Sequence, residues 1–427
     1  MNIVEERILT ELSEQTADFE HRELAEKITA EVIAPVMYGF VNYIMKSAAE
    51  NGIKTLYFLA RDGFLMQKIA EQIKAARGYS VNLRYLYCSR VSLRLAAISV
   101  MPREEAYSLL LMSGVSVTPK SLLDRLYLTR EQREEIYGDI GFTDDENRLL
   151  SKAELGSLTE RLKNSRAYNS ALDKIGKERY PLCTGYLRNN IDLSEKFAIA
   201  DTGWTGSVQH TLSLLLHSMG YEEGLTGYYF GLYNKQNPLD GDYYTYAFSK
   251  NRSVLGAAKF NNHLFEAICS APHGMTVGYE QREGEIAPLF DKRENLNGRN
   301  LFILTIQQGV IAYAENPVGF DESNKQGDLD RMYRLMYKPP KAFAQLCGSL
   351  YFSDDISEER PFPMAEKLDD KRLRSLILPV RMYRKLIHAD SAARPVFWPY
   401  GSLALSDKGG FYRLNSLIWE ILWLMKK

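Results

Sequence analysis

The sequence predicts an α/β protein: a Rossmann-like, mostly parallel sheet with large helical insertions and a helical C-terminal region. Short apolar runs bounded by turn residues alternate with stretches in which apolar residues recur every three or four positions. This alternation is typical of parallel strands joined by crossover helices. The runs at 55–60, 83–88 and 196–200 each end in polar residues that lead directly into a helical stretch. Ligands of such sheets bind beyond the carboxyl ends of the strands.

The composition narrows the possible functions. A net charge of −1 gives no general attraction for nucleic acid. The four cysteines show no CxxC spacing, which argues against a zinc site or disulfide framework and fits a reducing compartment. No apolar run reaches the roughly 18 residues of a transmembrane helix, and residues 1–28 do not resemble a signal peptide. We therefore expect no transmembrane segment and a cytoplasmic location, with peripheral contact at the inner face of the membrane as an alternative.

Three regions are expected along the chain. Residues 1–50 are predicted to form helices that pack on the core. Residues 51–290 are predicted to be the α/β catalytic core, which includes a further strand at 226–232 and a helical insertion at about 102–180. Residues 291–427 are predicted to be mostly helical.

The second half of the chain carries fewer strand signals. A helix near 252–269 is expected to precede a turn at 270–274 and a hairpin around Glu283 and Gly284. Residues 411–427 have a helical period, aromatic residues and a basic end. Our preferred interpretation is a terminal helix that closes the core, and the alternative is a helix that rests at a membrane interface.

The richest polar motif follows the strand at 196–200. Asp201 would accept hydrogen bonds from sugar hydroxyls or help to hold a metal. The loop after it offers backbone N–H groups, hydroxyls and the positive end of a helix dipole to a phosphate. The structural alternative is a tight turn with Thr205 as the helix cap. The predicted donor-binding residues of this loop are Thr202, Gly203, Trp204, Thr205, Gly206 and Ser207.

A second motif, Arg61-Asp62-Gly63, directly follows the strand at 55–60. A charged pair beside a buried strand is costly unless it meets partners or a ligand. Arg61 is suited to bidentate binding of a pyrophosphate, and Asp62 to a role as general base or metal ligand. Gly63 completes this donor-binding motif. The alternative is a structural salt bridge with a helix N-cap.

The strand at 83–88 leads into a third polar group, Ser89, Arg90 and Arg94. Together with Arg61, these arginines would form a local cationic, donor-binding pocket in a nearly neutral protein. Surface or structural arginines are the alternative interpretation.

Four other residues complete the set of candidates. Glu266 lies on an otherwise apolar helix and is a candidate catalytic acid, with capping of a neighbouring element as the alternative. His273, Arg394 and Trp398 are candidate contacts to an acceptor or sugar.

Several familiar motifs are absent from the sequence. It contains no P-loop, GxGxxG, HExxH or GxSxG pattern. Asp240-Gly241-Asp242 looks superficially like a phosphatase acid pair, but no apolar strand precedes it, and it is interpreted as a turn.

The motifs YFLARDG, YLYCSRVSLRLAA and ADTGWTGSVQ, in this order, resemble the glycan phosphoribosyltransferase domain of bacterial dual-domain ribofuranosyltransferases. The resemblance continues through YYFGLY, FNNHLFEAICSAPHGMTVGYE and WPYGS, and spans roughly residues 30–405. In that family the domain transfers ribose 5-phosphate from phosphoribosyl pyrophosphate to a surface glycan, and an attached haloacid-dehalogenase phosphatase removes the 5-phosphate. This sequence carries no such phosphatase domain.

The resemblance implies a phosphoribosyl pyrophosphate donor, a glycan acceptor that is lipid-linked in such pathways, and a separate phosphatase for the product. Asp201 and the 202–207 loop would hold ribose 5-phosphate. Arg61 and Arg90 would hold the pyrophosphate, and Mg²⁺, bound by Asp62 or Asp201, would neutralise the leaving group. Asp62 or Glu266 would take the proton of the acceptor hydroxyl.

Two other functions remain open at this stage. One is a glycosyltransferase that uses a nucleotide sugar, which would need an aromatic slot for the base. The other is a non-catalytic partner in a polysaccharide assembly complex, whose polar loops would tolerate alanine without loss of product.

Overall fold

The computed structural model describes residues 19–111, 117–292, 295–352, 362–386 and 396–426. Its strands are β1 (Thr55–Leu59), β2 (Asn82–Leu86), β3 (Phe197–Trp204), β4 (Thr226–Leu232), β5 (Tyr243–Phe248), β6 (Thr276–Arg282), β7 (Glu285–Phe290), β8 (Tyr351–Phe352) and β9 (Phe362–Pro363).

The helices before β3 are α1 (Phe19–Ile28), α2 (Ala34–Glu50), α3 (Gly63–Arg77), α4 (Arg90–Ala97), α5 (Arg103–Leu110), α6 (Pro119–Asp124), α7 (Arg130–Asp139), α8 (Lys152–Asn164) and α9 (Arg166–Asn190). A π-helical turn, Thr29–Ile33, joins α1 to α2. The helices after β3 are α10 (Ser207–Ser218), α11 (Val254–Lys259), α12 (Asn262–Cys269), α13 (Leu301–Glu315), α14 (Lys325–Tyr337), α15 (Lys341–Gly348), α16 (Asp370–Ser375), α17 (Leu378–Leu386), α18 (Pro399–Leu405) and α19 (Phe411–Lys426).

The central sheet has five parallel strands in the order β2-β1-β3-β4-β5. Thr55 pairs with Asn82 on one side and with Phe197 on the other, so β1 lies between β2 and β3. The predicted fold, a Rossmann-like parallel sheet with a helical C-terminal region, is confirmed. Strands β2 and β3 are separated in the chain by helices α4 to α9, and α5 to α9 lie where the helical insertion at about 102–180 was predicted.

Both faces of the sheet are covered, as expected for strands that are almost wholly apolar. All residues of β1 and β4 are buried. Because side chains alternate along a strand, Leu56 and Phe58 join the core on one face, and Tyr57 and Leu59 join the core on the other. The first core contains α2 and the helices after β5, and the second contains the insertion and α10.

The N-terminal helices form part of the first core. The helical run Arg22–Glu50 is long and apolar enough to cross a membrane by length and composition alone. However, 78% of its apolar window is buried inside the protein, as in the core helix of a soluble protein.

The structure corrects several predicted boundaries. β3 does not end at Ala200 but continues to Trp204, because Asp201, Gly203 and Trp204 pair with β4. The predicted 252–269 helix is two helices, α11 and α12. The hairpin around Glu283 and Gly284 is confirmed as β6 and β7. The turn predicted at Asp240-Gly241-Asp242 overlaps a 3-10 turn at Pro238–Asp240, and strand β5, which begins directly after Asp242, was not predicted.

Candidate active site

A cavity of about 1010 Å³ lies at the carboxyl ends of β1 and β3. Its wall includes both sequence motifs, from Arg61 and Asp62 after β1 to the stretch from Asp201 to Ser207. The start of α4 and the helix α12 close the same part of the cavity, through Ser89, Arg90 and Glu266. This is the position at which parallel α/β sheets bind ligands.

Two glycines shape the end of β3. Gly203 has φ +114°, and a Cβ atom there would lie 2.4 Å from the carbonyl oxygen of Gly231 in the neighbouring strand. Gly206 has φ +71° and is the N-cap residue of α10, with no side-chain capping bond. Thr205, the predicted cap, precedes the N-cap residue, and its hydroxyl accepts a 3.5 Å hydrogen bond from the Ser207 N–H in the first turn of the helix. The glycines allow the strand to turn directly into the helix, so the helix N-terminus faces the cavity.

Hydroxyl groups surround the N-terminus of α10. The Thr205 and Ser207 hydroxyl oxygens are 3.1 Å apart, and both residues line the cavity. The Arg94 guanidinium lies behind them and donates a 3.1 Å hydrogen bond to Ser207 Oγ. Burial, with Arg90 and Arg125 nearby, lowers the pKa of Arg94 to about 9, so it remains a cation at neutral pH. Hydroxyls, a helix N-terminus and a buried cation together form a cradle suited to a phosphate.

The end of β1 is tied to the end of β3 through Asp62. The Thr202 hydroxyl donates a hydrogen bond to the Asp62 carboxyl across the two strands. Asp62 is the N-cap residue of α3 but makes no side-chain capping bond, so the helix-cap alternative for this acid is wrong. Gly63 allows the close approach of α3 to β1, because a Cβ atom there would lie 2.7 Å from the Phe58 carbonyl carbon.

Three carboxyl groups, those of Asp62, Asp201 and Glu266, share one side of the cavity and interact electrostatically. Burial is the largest cause that raises the pKa of each, and repulsion from the neighbouring carboxylates adds to it for Asp201 and Glu266. The pKa of Asp201 rises to about 7 and that of Glu266 to about 8, and the pKa of Asp62 is also raised. The positive charge of Arg90 lowers the pKa of all three carboxyl groups and so partly offsets these effects. Asp201 and Glu266 therefore exchange protons near neutral pH, as groups used in acid–base catalysis do.

The side chain of Glu266 is held by an aromatic cluster. Trp204 Nε1 donates a 2.5 Å hydrogen bond to Glu266 Oε1. Trp204 itself stacks on Tyr233 and Phe248 and has φ +79°, which is uncommon for a residue with a side chain. One carboxyl oxygen of Glu266 is thus fixed by the indole.

Several predicted contacts are placed differently by the structure. Ser89 lines the cavity, but its hydroxyl caps α4 by accepting from Val91 and Ser92 and donates to the Thr276 carbonyl. Its hydroxyl is therefore structural. Gly63 and Arg94 are not part of the cavity wall and act from behind it.

Two of the predicted acceptor contacts, Trp398 and His273, do not line the cavity. Trp398 is 0% exposed and donates its indole N–H to the Met336 carbonyl, so its prediction as a sugar platform is wrong. Trp398 is a core residue because it packs among apolar side chains. His273 is not in the cavity wall; its Nε2 lies 2.8 Å from the Tyr85 hydroxyl, and burial lowers its pKa. Arg394 lies outside the described residues.

The cavity has a second part that the sequence did not indicate. It is lined by residues from β4 to α19 that are far apart in the chain, which is why no local motif identified them. They include Tyr233, Asn297, Tyr351, Phe352, Arg381, Tyr400, Glu420 and Trp423. The Asn297 side chain donates to the Tyr351 carbonyl and accepts from the Tyr351 N–H, which fixes the backbone that carries this half-exposed side chain.

The acids also fit a particular mode of Mg²⁺ binding. Among the described residues, no group of three His, Cys, Asp or Glu side chains is arranged to hold a metal on its own. Mg²⁺ in phosphate-transfer sites is commonly held by one or two carboxylates and by the substrate phosphates. Asp62 and Asp201 at the cradle suit that arrangement.

No protein-family model matches the sequence, and no curated protein matches it. The class that the fold and site define is an α/β protein with a hydroxyl-lined helix N-terminus and carboxyl groups in one cavity of a parallel sheet. Any narrower assignment depends on the chemistry of the cavity.

Proposed function

We propose that this protein is a glycosyltransferase that transfers ribose 5-phosphate from phosphoribosyl pyrophosphate to a glycan acceptor. One observation carries the proposal: the hydroxyl-lined N-terminus of α10, two arginines and three carboxyl groups with raised pKa share one cavity. A sugar phosphate with a pyrophosphate leaving group needs anion-binding groups at both ends and acids between them.

The donor has two anionic ends to be held. The cradle of Thr205, Ser207 and the α10 N-terminus suits the 5-phosphate, with the Arg94 cation behind it. Arg61 and Arg90 line the cavity on the side of β1 and α4 and suit the pyrophosphate. Asp201, within β3 and in the wall of the cavity, suits hydrogen bonds from the ribose hydroxyls.

The transfer breaks the bond between ribose C1 and a pyrophosphate oxygen and forms a bond between C1 and an acceptor oxygen. The electron pair of the broken bond leaves with pyrophosphate, and positive charge develops on the ribose ring. Glu266 is the better-placed base for the acceptor proton, because Trp204 fixes one of its oxygens and its pKa of about 8 allows it to hold that proton. Asp62 is engaged by Thr202 and is better suited to orient the site.

Mg²⁺ bound with the donor would neutralise charge on the departing pyrophosphate. Asp62 and Asp201 are the residues that would hold it.

One structural feature favours a second candidate, a nucleotide-sugar donor. Tyr351, Phe352 and Trp423 offer partly exposed aromatic surface at the cavity, where a base could stack. Competition separates the two: added uridine or guanosine diphosphate would protect a nucleotide-sugar site, whereas phosphoribosyl pyrophosphate would protect the site proposed here.

The direct test is to incubate the protein with phosphoribosyl pyrophosphate, Mg²⁺ and a lipid-linked glycan, and to weigh the product. We expect the acceptor to gain one ribose 5-phosphate. Asp201→Asn is the matched control, since it keeps the shape of the side chain. If the wild-type protein binds the donor but Asp201→Asn and Glu266→Gln leave product formation unchanged, the catalytic assignment is wrong.

A further inference from the structure

The helix α12 connects the acids to the second part of the cavity. Its Glu266 lines the cavity and interacts electrostatically with the two other carboxyl groups. One turn earlier on the same helix, the His263 ring lies 4.2 Å from the ring of Phe352 and 5.3 Å from that of Phe397. Phe352 and Phe397 both belong to the wall of the second part. The two parts are therefore about one helical turn apart along α12.

The cavity offers room for more than the donor. Pockets for a single small molecule range from about 300 to 1,000 Å³, and this cavity, at about 1010 Å³, lies at the upper end of that range. A donor held at the cradle and the acids leaves the second part for another molecule. The terminal helix α19 closes this part, since Ser416, Glu420, Trp423 and Leu424 belong to its wall.

Two polar side chains in the wall of the second part have no hydrogen-bond partner in the described part of the chain. One is the partly exposed amide of Asn262, four residues before Glu266 and on the same face of α12. The other is the hydroxyl of Ser416 on α19, a residue that is only 1% exposed. A buried hydroxyl without a partner costs free energy, and both groups can donate to and accept from the hydroxyls of a ligand.

The rest of this wall is aromatic and carries no net charge. Tyr351 is 47% exposed and Trp423 is 37% exposed, and such rings pack well against the C–H face of a sugar. Among the described wall residues of the second part, the Asp, Glu, Lys and Arg side chains are those of Arg381 and Glu420, whose formal charges cancel. An acidic ligand would therefore meet no excess of cationic groups. Aromatic rings with amide and hydroxyl groups suit a neutral sugar.

A nucleobase would use the same aromatic residues in a different way. It stacks on an open ring face, whereas the Phe352 ring already contacts the rings of His263 and Phe397 at 4.2 and 5.0 Å. The unpartnered groups of Asn262 and Ser416 instead suit the several hydroxyls of a sugar. The second part of the cavity therefore favours a sugar over a base.

We propose that the second part of the cavity binds a neutral sugar unit of the acceptor, held by hydrogen bonds from Asn262 and Ser416. Asn262 and Glu266 have Cα atoms about 6 Å apart at four residues of helical rise. A sugar bound to Asn262 thus presents a hydroxyl to the carboxyl group that takes its proton. The role of this sugar as acceptor rests on the proposed transfer, but sugar binding is measured without any donor.

The test uses saturation-transfer NMR on the full chain with methyl glycosides of glucose, galactose and N-acetylglucosamine as neutral probes. We expect the wild-type protein to bind at least one of them, and to bind methyl glucuronide more weakly. Asn262→Ala and Ser416→Ala should each weaken binding of that neutral probe at least about threefold, because each removes one hydrogen-bonding group. Asn316→Ala is the matched control, since Asn316 is exposed at the end of α13 and lies outside the cavity wall. It should bind the probe as wild type does, and circular dichroism checks the folding of all three variants.

The competing occupants give different results in the same experiment. Phosphoribosyl pyrophosphate should leave the neutral probe bound, whereas displacement by uridine diphosphate would identify a base site and overturn the proposal. Failure of the wild-type protein to bind any of the three neutral glycosides also overturns it, as does equal loss of binding in Asn262→Ala, Ser416→Ala and Asn316→Ala.

Failure of the proposed function has its own signature. If phosphoribosyl pyrophosphate does not bind while the neutral probe binds in an Asn262-dependent way, the donor assignment is wrong and the sugar site stands. With an active transferase, Asn262→Ala should raise the KM for the glycan at least about threefold and leave the KM for the donor unchanged. An increase in the donor KM alone would place Asn262 in the donor site and contradict the proposal.

Discussion

At the scale of single residues, the site depends on three acids whose protonation is set by burial and by one another. Asp62, Asp201 and Glu266 come from three different elements, and their pKa values are all raised. Arg90 partly offsets the repulsion. A cationic ligand or a bound metal would relieve it further and hold the acids ionised.

Asp201→Asn should lower the rate of transfer at least about a hundredfold, because the neutral amide cannot stabilise positive charge on the ribose. Thr205→Val should instead raise the KM for the donor about tenfold, since it removes one hydroxyl from the phosphate cradle. Steady-state kinetics, with circular dichroism to check folding, separates the two effects. Wild-type kinetics in both variants would show that the loop is structural.

The pH dependence of the reaction tests the proposed base. Glu266 must be ionised to accept a proton, so kcat/KM should rise with pH through about 8. Glu266→Gln should remove this limb and lower the rate about 10²–10⁴-fold. If Asp62→Asn removes the limb and Glu266→Gln retains it, Asp62 is the base.

The same pKa shift affects stability. The folded-state pKa of Glu266 lies above its unfolded value, so its favourable contribution is present at low pH and is lost as pH rises through about 8. Wild type should therefore lose free energy of unfolding between pH 5 and pH 9, and Glu266→Gln should not. Urea unfolding at the two pH values should show Glu266→Gln gaining stability relative to wild type at pH 9. An unchanged difference at the two pH values would contradict the buried acid described here.

At the scale of elements, the passage from β3 to α10 orients the cradle. Gly203→Ala should destabilise the protein by about 2 kcal/mol or more, because its Cβ atom meets the backbone of β4 as well as an unfavourable φ. Gly220→Ala is the matched control: its φ is +91°, but nothing lies within 4 Å of its Cβ position. Denaturant unfolding measures both, and equal losses would mean that the strand contact contributes nothing.

A second contact between elements joins the helical insertion to the core. His210 of α10 bonds through Nδ1 to Asp240 at 2.7 Å and through Nε2 to Glu105 of α5 at 2.5 Å. Burial opposes the charged ring, but the two carboxylates outweigh it and raise the pKa of His210. This stabilisation is complete below the unfolded pKa of about 6.5 and is lost as pH rises through the folded value.

His210→Gln should therefore lower the free energy of unfolding more at pH 6 than at pH 9. His217→Gln, at an exposed position on the same helix, is the control. A pH-independent difference between His210→Gln and wild type would show that the ring is neutral in this contact.

At the scale of the whole molecule, the cavity is formed by distant parts of the chain, from Leu59 to Leu424. The proposed reaction ends with a phosphorylated product, since this chain shows no phosphatase motif. Mass spectrometry of the product made by the purified protein should therefore show ribose with its 5-phosphate. A dephosphorylated ribosyl product from the protein alone would contradict this.

Local patterns were sufficient to predict four of the five strands of the sheet and the polar residues that follow three of them. The apolar runs before Arg61, Ser89 and Asp201 identified three parallel strands, because buried strands and their exits differ sharply in polarity. The position of the ligand site at those ends followed from the geometry of parallel sheets. The joint presence of Asp62 and Asp201 in one cavity could thus be inferred from the sequence.

Only the tertiary structure decided what each polar group contacts. The Thr202 hydroxyl bonds to Asp62, the Trp204 indole bonds to Glu266, and Ser89 caps its helix, although all three residues looked alike as donor-binding candidates. Trp398 is buried, while Trp423 lines the cavity. The physical reason is that hydrogen bonds and burial join residues far apart in the chain, whereas a sequence pattern records only the periodicity of near neighbours.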